Sequence, residues 1–169
     1  LQAKTREQYI EIINKLDGGV AEETMALPTD FKLVEALAEK GIVDAQFNLG
    51  NMYRLGEGVL QDDKEAFKWF RKAAAQGNAL GQHRGAQAFG EGKGVPRNDI
   101  EAIKWFRKAA NQGLAEAQFN LGEYLNIGRG EEKDPKEAAK WLLKAANQGY
   151  AGAQDNIGVM YATGEGVKR

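Results

Sequence analysis

Wound at about 100° per residue, residues 64–75 place Ala66, Phe67, Trp69, Phe70, Ala73 and Ala74 on one broad apolar arc, with Lys64, Lys68, Arg71 and Lys72 opposite. An arc this wide predicts a helix packed against neighbours on two sides. Asp62 followed by Glu65 supplies a start signal of the capping-box type, and Asn98 with Glu101 repeats it. Asp134-Pro135-Lys136-Glu137 adds proline at the first helical position, where its missing N–H costs nothing. Gly77, Gly113 and Gly149 supply stops suited to a left-handed residue after the helix.

A second pattern fills residues 44–56. Ala45, Leu49, Met52 and Tyr53 share one side of its wheel, with Gly50 at the margin, while Asp44, Phe47, Asn48, Asn51, Arg54 and Leu55 lie opposite. This is a helix with small residues that let a neighbour approach, followed by Gly56-Glu57-Gly58-Val59, a turn whose glycines permit positive φ.

The two patterns alternate with a period of 36 residues: KEAFKWFRKAAAQG, IEAIKWFRKAANQG and KEAAKWLLKAANQG begin at positions 64, 100 and 136. Gln46, Gln82, Gln118 and Gln154 form one column, and Trp69, Trp105 and Trp141 another; Gly56, Gly92, Gly128 and Gly164 form a third. A helix–turn–helix unit of this length cannot bury its apolar face alone and must stack on copies of itself.

Composition narrows the chemistry. Lys and Arg number 23 against 24 Asp and Glu, and the net charge is −1, so nothing points to nucleic acid as a partner or to membrane insertion. Cysteine and serine are both absent and His83 is the single histidine. Thiol sites, a Ser–His or Cys–His nucleophile pair and a multi-imidazole metal site are thereby closed. No cofactor and no catalytic residue is expected. The chain begins at Leu1 rather than Met, which leaves bacterial cytoplasm, periplasm and secretion all open as compartments, and the oligomeric state unset.

Ala45-Gln46, Leu49-Gly50, Tyr53, Gly56, Gly58-Val59, Ala66, Trp69, Ala73-Ala74 and Gly77 resemble the pattern of the Sel-one-like repeat (SLR) family, a relative of the tetratricopeptide (TPR) repeat. The resemblance implies an all-α, right-handed α-solenoid of helix–turn–helix repeats whose first helices line a concave groove. It divides the chain into an N-terminal capping helix and linker (1–27), a half repeat (28–41), repeats at 42–77, 78–113 and 114–149, and a partial repeat (150–169). It implies a non-enzymatic bacterial adaptor that binds a protein or peptide. The alternative it carries is a β-lactam-interacting, enzyme-like role, for which no Ser-x-x-Lys motif is present.

Residues constant in every copy maintain the stack, so partner choice must lie where copies differ. The column Gln46/Gln82/Gln118/Gln154 is expected to be buried and hydrogen-bonded, and the tryptophan column to be core. The variable outer side of the first helices gives the candidate groove: Asp44, Phe47, Asn48, Asn51, Arg54, His83, Arg84, Gln87, Phe119, Asn120, Glu123 and Asn126. Phe47 and Phe119 lie on the polar side of their wheels and read as exposed anchors, and His83 reads as polar surface. The basic row on the second helices, from Lys68 to Lys144, reads as a solvated face. Gly85-Ala86 replaces Leu-Gly in the second unit, so its first helix is expected to be the weakest-packed unless a neighbour fills the space.

Overall fold

The computed structural model describes residues 29–167, which form eight α-helices and no strand. They are α1 (Thr29–Glu39), α2 (Val43–Leu55), α3 (Asp63–Ala75), α4 (Ala79–Glu91), α5 (Asp99–Asn111), α6 (Ala115–Ile127), α7 (Pro135–Asn147) and α8 (Ala151–Thr163). The capping helix expected within residues 1–27 lies outside the described residues. Each helix packs chiefly on the one before and the one after it, as a stack of hairpins requires. The chain is an all-α solenoid.

Local signals act where the pattern puts them. The Asp62 side chain accepts from the backbone N–H of Lys64 and Glu65, Asn98 from Glu101, and Asp134 from Glu137 behind Pro135. These caps satisfy N–H groups that a first helical turn leaves without partners. The second glycine of the last three turns is fixed by packing as well as by backbone angle. Gly94, Gly130 and Gly166 have φ near +70° to +83°, and a Cβ on each would collide with the carbonyl of Asp63, Asp99 or Pro135 at the start of the preceding second helix. The turn of one unit therefore seats on the helix start of the unit before it.

The glutamine column is the hydrogen-bonded strut expected of it. Gln46 Nε2 donates to the Ala38 carbonyl at 3.2 Å, and its Oε1 accepts from Gln76 Nε2 at 2.8 Å, which also donates to the Gly41 carbonyl. Gln82 with Gln112 and Gln118 with Gln148 repeat the arrangement one and two units later. Gln154, which no described second helix follows, is exposed and keeps its bond to the Ala146 carbonyl. Each strut donates to two backbone carbonyls across a unit boundary and so ties one unit to the next.

In the second unit a neighbouring ring stands where the missing leucine would be. A Cβ at Gly85 would fall on the Trp105 indole, which occupies the volume that Leu49 and Leu121 fill in their units. Trp105 stands edge-on to Phe89 at 5.5 Å and 6.3 Å from Phe67. Trp69 and Trp141 are buried, whereas Trp105, moved to fill the gap, is half-buried. Ala86 is fully buried, and the neighbouring ring fills the space beside Gly85, the exception the sequence reading allows for.

Candidate functional site

The first helices α2, α4 and α6 present the variable positions, and their side chains meet in groups. Between α2 and α4, over the N-terminal half of α3, lies a cleft of about 530 Å³. Arg54, Arg84 and Gln87 face it, Ala66, Phe67 and Phe70 line it from α3, and Asp63, Glu91 and Lys93 complete its charged edge. One position sets this unit apart. Where the other units carry Met52, Tyr124 and Met160, the second unit carries Ala88, which lines the cleft.

Arg84 Nη1 donates to Gln87 Oε1 at 2.8 Å, and Arg54 Nε to Asn51 Oδ1 at 3.4 Å. Arg84 Nε is buried with no hydrogen-bond partner. Burial, and next the charge of Arg54, push the Arg84 guanidinium below its usual range. The sequence singled out Asn51, Arg54, Arg84 and Gln87, and the structure brings these four together. It adds Phe67 and Phe70, which the sequence reading places on the core arc, Lys93 of the glycine turn, and Glu91, which the sequence reading does not single out. The substitution of Ala88 for methionine was the signal available for them.

Three expectations need correction. His83 is 1% exposed rather than surface polar. Its ring lies 5.7 Å from Phe106, and Asn120 Nδ2 donates to Nε2 at 2.8 Å, which leaves the proton of the neutral ring on Nδ1. Phe47 is not an exposed anchor but half-buried, 5.9 Å from Phe70. Phe119 packs 4.9 Å from Tyr150 and covers Gly152. A wheel drawn for one helix sees one packing side. In a stack the other side also has a neighbour, and these rings meet it.

The remaining candidates are dispersed. Asp44 and Asn48 are half-buried on α2, the exposed Glu123 accepts from Asn156 at 3.4 Å, and Asn126 Oδ1 is buried without a partner. The basic row of the second helices is largely engaged locally. Lys68 pairs with Glu65, Lys104 with Glu101, and Arg107 with Glu131 and Glu137, while Lys72 and Lys144 stand over the Trp69 and Trp141 rings. That row is a solvated face, as expected.

The buried imidazole gives the stability a pH dependence. Burial, with a smaller contribution from Arg84, lowers the His83 pKa from 6.5 to about 4, and the half-exposed Glu116 carboxylate 3.6 Å from Nδ1 does not offset it. The unfolded chain therefore takes up the proton first as pH falls. Stability is full above about pH 6.5 and declines toward pH 4 by about 3 kcal/mol in total. Denaturation at a series of pH values should show this slope in the native protein and lose it in His83→Gln. An equal slope in both would refute the buried neutral ring.

Among the described residues no helix is long and apolar enough to cross a membrane. The Sel1 repeat model matches residues 43–78, 79–114, 115–150 and 151–169. In structure, the chain is similar to a protective antigen present in uropathogenic Escherichia coli strains and displaying an SLR fold. The TM-score is 0.82 at 33% identity, over 96% of this chain and 35% of that one. It is also similar to a Sel1 repeat protein from Oxalobacter formigenes, with a TM-score of 0.75 at 33% identity, over 97% of this chain and 64% of that one. The cysteine rich protein B of Helicobacter pylori shares the fold at 21% identity and a TM-score of 0.60, over 76% of this chain and 97% of its own. A curated relative, an exopolysaccharide production negative regulator of Rhizobium leguminosarum bv. viciae, is 52% identical over 40 residues, 24% of this chain and 15% of its own length. The chain thus spans about a third of the E. coli protein and a small part of the regulator. With the repeat model matched from residue 43 to the last residue, the chain belongs to the Sel1 repeat family.

Proposed function

We propose that the chain is a non-enzymatic adaptor that binds a protein or peptide partner on the face formed by the first helices, centred on the cleft between α2 and α4. Repeats of this family commonly serve as protein-interaction scaffolds and are typically non-catalytic. The observation that carries the reading is the cleft itself: Arg54, Arg84 and Gln87 face it above a largely buried apolar floor of Ala66, Phe67 and Phe70, where Ala88 interrupts a column of large side chains. Apolar anchors beside amide and guanidinium donors are the composition of interface hot spots. On the second-helix face Lys68, Lys104 and Arg107 are already paired within their own helix or across a unit boundary, and exposed pairs of this kind contribute little to recognition.

A photo-crosslinking residue placed at Gln87, and separately at Lys104, tests this in cells of the source organism. The expected result is a discrete crosslinked protein from position 87 and none from position 104. A crosslink from 104 alone would move the binding face to the second helices.

A further inference from the structure

The first helices α2, α4 and α6 are each covered by the second helix of their own unit; among the described residues α8 has no such cover. In the first and third units the contact is built around a glycine. A Cβ at Gly50 would fall 2.6 Å from the Phe70 ring, and one at Gly122 2.6 Å from Leu142 Cγ, with the carbonyls of Ala66 and Ala138 at 3.2 Å. At the equivalent Gly158 nothing lies within 4 Å. Tyr161 is 46% exposed, whereas Leu125, its counterpart on α6, is fully buried.

The hydrogen bonds are unfinished in the same place. Gln148 Nε2 donates to the Gly113 carbonyl at 3.0 Å and to Gln118 Oε1 at 2.8 Å, and Gln112 and Gln76 do the same in the earlier units. Gln154 is held as the other three are, by its bond to the Ala146 carbonyl at 3.2 Å. Among the described residues no glutamine donates to its Oε1 or to the Gly149 carbonyl. Stack contacts are made between nearest neighbours, so α8, held by α7, keeps this seat in shape without an occupant.

The filled seats specify what fits the open one. α3 and α7 share the pattern Ala-x-x-Trp, then Phe or Leu, then x-x-Ala-Ala-x-Gln, from Ala66 to Gln76 and from Ala138 to Gln148. The first alanine lets the backbones approach, the Phe or Leu enters the glycine notch, and the glutamine closes the strut. At the other end of the stack α1 has Leu33, Val34 and Lys40 at the equivalent positions. A second copy stacked end to end therefore offers neither the tryptophan nor the amide.

We propose that the exposed face of α8 docks a helix of a partner protein that carries this second-helix pattern. Its bulky apolar residue lies over Gly158, and its glutamine donates to Gln154 Oε1 and the Gly149 carbonyl. The surface continues the interface repeated within the chain and shares nothing with the cleft between α2 and α4, so it stands or falls apart from the function proposed above. Burial of the apolar stripe supplies the affinity of such a docked helix. The glutamine bonds fix its register, since a helix slipped by one residue loses both.

Fluorescence anisotropy with a labelled, acetylated and amidated peptide of residues 134–149 tests the seat on the whole protein. The peptide should bind saturably, and Gly158→Gln, which fills the notch, should weaken it roughly 10-fold or more. Gly158 is helical with open space around it, so this variant should fold, as thermal midpoints will verify. Once the peptide carries Gln148→Ala, Gln154→Ala in the protein should cause no further loss. Arg54→Gln should leave binding unchanged. No binding, or binding that Gly158→Gln leaves intact, overturns the proposal. Loss of binding with Arg54→Gln instead would put the peptide in the cleft and overturn it as well. Sedimentation showing self-association of the native protein that Gly158→Gln abolishes would make the occupant a second copy and overturn the partner helix.

Discussion

Gly130→Ala and Gly94→Ala should each destabilise the protein by about 3 kcal/mol or more, whereas Gly113→Ala should cost about 1–2 kcal/mol. All three glycines have positive φ, so backbone strain is common to them. They differ in what an added methyl group meets. At Gly113 nothing lies within 4 Å, but at Gly94 and Gly130 the new Cβ would overlap the carbonyl groups of Asp63 and Asp99, which belong to helix starts and cannot swing away as a side chain end can. The seating of one turn on the preceding helix would have to open. Chemical denaturation at constant slope measures the difference, and equal losses at 113 and 130 would mean that turn-to-helix seating does not hold the stack.

The second large effect is a reversal of sign between two backgrounds. Trp105→Ala should cost about 3 kcal/mol, the low end for a buried aromatic because one side of the ring is exposed, while the neighbouring Lys104→Ala should stay within about 0.5 kcal/mol. Gly85→Leu alone should destabilise, since its Cβ would land on the indole. In the Trp105→Ala protein the same Gly85→Leu substitution should recover about 1–2 kcal/mol by refilling the vacated space with the side chain that Leu49 and Leu121 supply elsewhere. Additive losses in the double variant would refute the exchange of ring for leucine.

These two cases also mark what the sequence made legible. The period, the helix starts at Asp62, Asn98 and Asp134, the stops at Gly77 and Gly113, and the buried glutamine struts follow from local chemistry repeated in register, where each copy corroborates the others. Departures from the repeat were harder to read because they are resolved between units. Gly85 is answered by Trp105, twenty residues later, and a missing leucine read alone looks like a void. His83, Phe47 and Phe119 failed for the same reason: each is outward on its own helix and inward to a neighbour. Of the candidate site, Arg54, Arg84 and Gln87 were legible as unmatched polar residues on a shared face. Phe67 and Phe70 were not, because both rings stay on the buried core arc and only border the cleft where Ala88 stands beside them.

The proposed binding face is tested most directly by calorimetry with the partner that crosslinks at Gln87. The comparison is between the native protein, an Arg54→Ala/Gln87→Ala variant and a Lys68→Glu/Arg71→Glu/Lys104→Glu variant, each verified for its melting temperature. Residues at the centre of an interface typically cost about 1–4 kcal/mol when truncated, so the cleft variant should weaken binding by roughly 10-fold or more. The triple reversal on the second-helix face should leave affinity within about twofold, since exposed rim charges contribute little. The opposite ranking, with the cleft variant binding as the native protein does and the charge reversal abolishing the complex, would contradict the first-helix face and assign recognition to the basic row.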